Sequence, residues 1–186
     1  MANNVKNSLK IHCEDEKLMN KIKKMIFIEN EEGNQRFTMK KMLPIPNDYS
    51  NPWWLTDHVK AWRIAIWGTY QDANNYSINE SGDTISIPYH TATSPNYPWV
   101  ETLCKYIQWT LRLNEPDGAP IISVEHKYYD DLMDYGGILE WIPEAKIEYK
   151  EYNLIEYAKQ YDEDLYKWIL ETEEELKSGN ASIILF

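Results

Sequence analysis

Apolar and polar residues alternate through NSLKIHC, with Leu9, Ile11 and Cys13 on one side of an extended chain and Ser8, Lys10 and His12 on the other. The pattern predicts a half-buried strand at 8–13. In EDEKLMNKIKKMIF the period changes to that of a helix. Leu18, Ile22, Met25 and Ile26 share one side, acids fill the first turn and lysines follow, as the helix dipole prefers. A polar break, ENEEGNQR, leads into FTMKKMLPIPNDYSNP, whose three prolines between Pro44 and Pro52 predict a long connection without regular helix. Leu55, Val59, Trp62 and Ile66 then recur at steps of four, three and four, predicting an amphipathic helix closed by Gly68.

Two strands are predicted next, at 75–79 and 84–90, joined by a hairpin turn at ESG. WVETLCKYI predicts a short helix. IQWTLRLNE alternates again and predicts a strand at 107–113, with Ile107, Trp109, Leu111 and Leu113 inward and Gln108, Thr110 and Arg112 outward. Strand, helix, insertion, strand, strand, helix, strand is a βαββαβ order, which predicts an α+β ferredoxin-like antiparallel sheet with two helices packed on it. The domain spans 1–126, with a Pro-rich and helical insertion at about 37–68. Further on, APIISVEHKYYDDLMDYGGILEWI predicts another strand pair turning at Gly136-Gly137. Ile155, Ala158, Leu165, Trp168, Ile169 and Leu176 predict one long or broken acidic helix over 152–177, and ASIILF a last strand.

Charge divides the chain. Residues 1–126 carry 15 Asp and Glu against 13 Lys and Arg, a net of −2, while residues 127–186 carry 15 against 6, a net of −9. The last third therefore reads as an acidic, α-rich extension packed on the domain. A total of −11 disfavours direct binding of nucleic acid or of an anionic membrane, and favours as partner a protein with a basic surface, or the basic groove of a nucleic-acid enzyme. The opening MANNVKNSLK has no apolar run, and Cys13 and Cys104 stand far apart, so the expectation is a cytoplasmic protein with free thiols. Neither His nor Cys recurs at metal-ligand spacing, the acids of DDLMD at 130–134 read as a solvated loop, and no phosphate-binding glycine loop is present. The expectation is no metal and no cofactor.

The run WRIAIWGT at 62–69, with LPIP at 43–46 before it and TATSP at 91–95 after it, resembles the YubB-like family of plasmid and phage proteins. The likeness covers roughly residues 5–125 and departs from the family pattern at Ala65, Gln71 and Thr93. It implies a ferredoxin-like domain of mobile-element origin and names no activity.

Three groups of residues are candidates for a role. Trp62, Trp67, Gly68 and Thr69 read as a structural joint, with indoles filling the core and glycine ending a helix. On the outward sheet side, His12, His90, Arg112 and Lys10 are candidates for metal-free RNA cleavage, two imidazoles exchanging protons beside cations that hold a phosphate. In the acidic extension, Tyr152, Tyr157, Tyr161, Asp162, Glu163, Asp164 and Trp168 interleave carboxylates with rings and so imitate phosphates spaced by bases in a basic groove. The favoured expectation is a non-enzymatic mobile-element protein that binds or inhibits a host factor, for example a defence nuclease, in an anti-CRISPR-like role. The alternative is a metal-independent RNA-processing enzyme.

Overall fold

A computed structural model describes residues 4–46, 57–114, 120–130, 135–143, 145–167 and 169–170. The alternation that predicts a first strand extends further than 8–13. In β1 (Asn4–Cys13) Val5, Asn7, Leu9, Ile11 and Cys13 are buried, and the residues between them face the other way. Asp15 caps the helix that follows, α1 (Glu16–Ile26), accepting a hydrogen bond from the Leu18 amide at 2.7 Å, and the helix buries Leu18, Met19, Ile22 and Ile26. The long connection contains a small hairpin, β2 (Phe27–Glu29) with β3 (Gln35–Phe37), then the short α2 (Met39–Met42) and α3 (Asp57–Trp67).

The rest of the chain supplies β4 (Asn79–Ser81), β5 (Thr84–Ala92), α4 (Tyr97–Asn114), β6 (Ile122–Asp130), β7 (Tyr135–Trp141), β8 (Glu148–Asn153) and α5 (Leu154–Tyr161). The protein is an α+β structure built on one six-stranded antiparallel sheet, in the order β4-β5-β1-β6-β7-β8. α1 and α4 bury their apolar sides against Leu9, Ile11, Ile85, Ile87, Ile122, Val124 and Leu139 of the sheet, forming the main core. Among the described residues no helix is long and apolar enough to cross a membrane.

Four expectations need correction. Residues 107–113 are not a strand but the second half of α4. Val100, Leu103, Cys104, Ile107 and Leu111 form one continuous helical stripe, all buried, and nothing in the segment breaks the helix, so a short alternating run is absorbed by the longer 3.6-residue period. Trp109, expected inward, is consequently exposed. Gly136 and Gly137 lie inside β7 rather than at a turn. A Cβ on Gly136 would sit 2.6 Å from the Tyr157 ring, and one on Gly137 2.5 Å from the Tyr128 hydroxyl, so these glycines make room for two tyrosines. The strand expected at 75–79 reduces to an Asn74–His90 bridge and the three residues of β4. Residues 127–130 complete β6, a central strand, and β7 and β8 continue the same sheet, so the acidic third contributes the end of one strand and two further strands to it. The expected helix over 152–177 begins after β8, stops at Tyr161 and resumes at 163–167. The expected last strand ASIILF lies outside the described residues.

Two indoles tie the long connection to the core. Trp67 donates its ring N–H to the Leu43 carbonyl at 3.0 Å and Trp99 to the Met39 carbonyl at 3.1 Å, each ring being buried with its one polar atom satisfied. The runs at 62–69 and 91–95 meet directly. Thr69 Oγ1 donates to the Ala92 carbonyl at 2.7 Å, and Ser94 Oγ donates to the Gly68 carbonyl. Trp62 lies edge-on to Trp67 with ring centroids 5.9 Å apart. Gly68 has φ 82°, and a Cβ there would fall 2.6 Å from Pro98 Cδ and 2.8 Å from the Pro95 carbonyl oxygen. Gly82, in the β4–β5 turn, has φ 55° and nothing within 4 Å of its absent Cβ. Left-handed strain acts at both glycines and steric overlap only at the first. Gly68→Ala is therefore expected to lower the unfolding free energy by about 2–4 kcal/mol, and Gly82→Ala by about 1 kcal/mol. Urea denaturation of the two variants checks the order, and equal losses would contradict it.

Candidate functional site on the open face of the sheet

Register fixes what the sheet presents on the side away from α1 and α4. Across β5, β1 and β6 the outward side chains fall in rows: His90, Lys6 and Tyr129; then Pro88, Ser8 and Lys127; then Ser86, Lys10 and Glu125; then Thr84, His12 and Ser123. Most of them are hydroxyls, amines and imidazoles. The inward residues of the same strands are apolar except at one cluster described below and at Asp130, buried at the end of β6.

α5 covers part of this face. Its Tyr157, 3% exposed, packs on Gly136 and lies 6.2 Å from the Tyr129 ring, while Tyr161 pairs its hydroxyl with that of Tyr152 at 2.8 Å. Leu154, Tyr157, Ala158 and Leu165 form a second, small core between helix and sheet. The helix lies over the β6, β7 and β8 side and, among the described residues, leaves the outward side of β5 and β1 uncovered. Between them runs a groove of about 400 Å³, floored by Lys6, Ser8 and His90 and walled by Tyr161 and Asp162 on one side and Asn75 on the other. A second hollow of about 260 Å³ lies at the far end around Lys10, His12 and Glu125.

The expected catalytic residues do not converge. His12 stands opposite Thr84 and His90 opposite Lys6, six positions apart along β1, or about 20 Å at the rise of a strand. Both rings share the outward side, but one phosphate cannot touch both. His12 Nδ1 is 3.2 Å from Thr84 Oγ1, and Lys10 lies in the row of Glu125. Arg112 belongs to α4 rather than to an outward strand position. Both cysteines are buried, and burial pushes the Cys104 thiol up to about 12, which keeps it protonated and unreactive. Among the described residues no group of three or more His, Cys, Asp and Glu side chains is placed to hold a metal.

Of the residues expected to face a partner from the acidic extension, Tyr157 is buried, Tyr152 and Tyr161 are half-buried against each other, and Asp162 caps the 163–167 turn by accepting from the Leu165 amide at 2.9 Å. Glu163 and Asp164 are exposed. Trp168 lies outside the described residues.

Beneath the open face sits a buried polar cluster that the residue pattern signals only by parity. His126 falls in step with Ile122 and Val124, and its side chain is 0% exposed. Asn7 Nδ2 donates to the Val5 carbonyl and to Thr91 Oγ1, both at 2.9 Å, which leaves Oδ1 to accept. It lies 3.1 Å from His126 Nε2, so that nitrogen carries the proton. The Tyr89 hydroxyl donates to Asn96 Oδ1 at 2.6 Å, and its oxygen lies 3.2 Å from the same Nε2. Burial with no anion alongside lowers the His126 pKa to about 3. Lys6, Lys127 and Tyr129 were likewise signalled only by parity, each being in step with polar neighbours on its strand.

No family model, curated protein or solved structure matches this chain.

The lowered pKa of His126 has a direct consequence for stability. An unfolded chain protonates this ring near pH 6.5, whereas the folded chain refuses the proton down to about 3. Stability from this group is complete above pH 6.5 and is lost as pH falls through that window. His126→Gln keeps a donor near Asn7 and removes the titration. The expected result is a pH dependence of unfolding free energy between pH 7 and pH 4.5 that is shallower in the variant by about one proton, or of order 2–3 kcal/mol across the interval. Parallel urea titrations of the two proteins check this, and identical slopes would contradict it.

Proposed function

We propose that this protein is a non-enzymatic binding module whose partner is a protein with a basic surface. The observation that carries the reading is Trp109. It is 56% exposed and lies 5.9 Å from the ring of Tyr106, itself 41% exposed, on a helix whose other side is wholly buried. Single exposed apolar residues are ordinary, but an indole and a phenol in contact are the anchors that dominate protein interfaces. Edge strand β8 lies beside this helix, because the Tyr149 hydroxyl donates to Glu101 of α4. On the side of α4 it presents Tyr149 and Glu151 to solvent. Exposed aromatic anchors on the same side as the Glu151 carboxylate suit a basic partner in shape and in charge, Glu101 itself being paired with Lys105 at 3.1 Å.

The inhibitory version of this role, in which a mobile-element protein occupies the basic groove of a host nuclease, is what the likeness at 62–69 and 91–95 adds to the reading. On fold, β1, α1, β4, β5, α4 and β6 follow a βαββαβ order with β1 and β5 central, which supports a ferredoxin-like core extended by β7 and β8. Acid–base RNA cleavage is the weaker reading, since the about 20 Å between His12 and His90 exceeds the reach of proton transfer through one phosphate.

Capture from a host lysate with wild-type and Trp109→Ala baits tests the proposal. A specific partner is expected to be retained at low salt by the wild type and by a control, Ile28→Ala. Its affinity is expected to fall by about tenfold or more on Trp109→Ala, and by less on Tyr106→Ala. No retained protein, or one held equally by all baits, would contradict the reading.

A further inference from the structure

We propose that the free edge of β8 takes up an extended, lysine-bearing segment of the basic partner as a further strand of the sheet. This rests on the reading that the partner is basic, and it names the part of that partner which the chain recognises and the way in which it is held.

The backbone supplies the first argument. β8 ends one side of the six-stranded sheet and pairs with β7 from Glu148 to Asn153. In an antiparallel pair every second residue turns its N–H and C=O away from the neighbour, so about three donors and three acceptors of β8 point outward. Among the described residues no further strand and no turn or loop backbone bonds to them. All residues of the strand except Tyr152 are exposed. The opposite edge of the sheet is a poorer template, since β4 has three residues and its Glu80 is paired with Lys23 at 2.6 Å.

Charge and its placement supply the second. Residues 140–164, from the end of β7 through α5, carry 8 Asp and Glu against 3 Lys, a net of −5. On β8 itself Glu148 and Lys150 belong to the α5 side, and Tyr149 and Glu151 to the α4 side. Lys150 lies 3.8 Å from Glu140 and 4.0 Å from Glu148, and Glu151 accepts from the Tyr128 hydroxyl at 3.2 Å. A carboxylate that accepts a hydroxyl keeps its charge, and the three lysines, Lys146, Lys150 and Lys159, are outnumbered. The edge therefore remains acidic.

An antiparallel strand added here sets one residue opposite each residue of β8. Cations suit the positions opposite Glu148 and Glu151, an uncharged residue the one opposite Lys150, and an apolar residue the one opposite Tyr149, which is 42% exposed. A second copy of this chain is the poorer occupant, because β8 against β8 brings together two acidic thirds of −9 each.

The end-blocked peptide TVKTVK fits this register, its lysines falling opposite Glu151 and Glu148 when it runs antiparallel to β8. Titration of the full chain with it, followed by amide chemical shifts and hydrogen exchange, tests the proposal. Saturable binding is expected, with shifts centred on 148–153 and slowed exchange at alternate β8 amides. TVETVE, and TVKTVK carrying N-methyl groups along the edge that meets β8, are each expected to bind at least about tenfold more weakly. Glu148→Lys combined with Glu151→Lys is expected to exchange the preference between the two charged peptides, and Trp109→Ala to leave it unchanged. Circular dichroism verifies that each variant is folded. Peptide binding with no partner captured from lysate would sink the reading of a host partner and leave the edge site standing, whereas a captured partner indifferent to the double charge reversal would overturn the edge site alone. The proposal is also overturned by no saturable binding at millimolar TVKTVK, by equal binding of its N-methylated form, by unchanged β8 amides, or by outward β8 amides already protected in the free protein.

Discussion

The register of β1 against its two neighbours is the constraint from which the rest of the structure follows. β1 is paired along almost its whole length on both edges, with Leu9 opposite Ile87 on one side and His126 on the other. A shift of one residue would turn Lys6, Lys10 and His12 into the core and expose Leu9 and Ile11. Apolar burial opposes that shift. The Asn7, His126, Tyr89 and Asn96 cluster opposes it more specifically, since the hydrogen bonds among these side chains form only when three strands and the start of α4 are correctly aligned. The same alignment that buries an uncharged histidine inside collects amines and hydroxyls outside.

A second packing event shapes what that outer face can do. Gly136 lacks the Cβ that would collide with Tyr157, so α5 settles directly on β7, and among the described residues it leaves the β5 and β1 side uncovered. The result is a bounded groove where a bare sheet would have offered a flat surface. The register also holds His12 and His90 at opposite ends of the face. Proton exchange between two histidines needs proximity, which this arrangement does not provide. The exposed aromatics of α4, Trp109 and Tyr106, lie on the other side of the sheet, the side that also carries Tyr149 and Glu151 of β8.

Much of this was legible where a single period dominates the residues. β1, α1, α3 and β5 each show one clear pattern over enough residues to decide their type, and the ESG turn marks the hairpin. Residues 107–113 were misread because seven alternating positions fit a strand, while the helical stripe through Val100, Leu103, Cys104, Ile107 and Leu111 shows only when the preceding segment is counted with them. Placing Trp109 inward followed from that error. Gly136 and Gly137 look like a turn in isolation; their role depends on Tyr157 and Tyr128, residues whose approach no local pattern encodes. The acidic third was read by charge, and charge says nothing about strand pairing. The end of β6, β7 and β8 accordingly looked like parts of an appendage although they build the sheet. The outward rows were partly visible by parity within each strand, but which histidine stands beside which lysine is a matter of register between strands.

The register of β1 is directly measurable in solution from cross-strand nuclear Overhauser effects. The account predicts contacts pairing Asn7 with Tyr89, Leu9 with Ile87 and Ile11 with Ile85 on one edge, and Leu9 with His126 and Ile11 with Val124 on the other. It also predicts no contact between His12 and His90. A set displaced by one residue on either edge, or a direct contact between those two histidines, would contradict it.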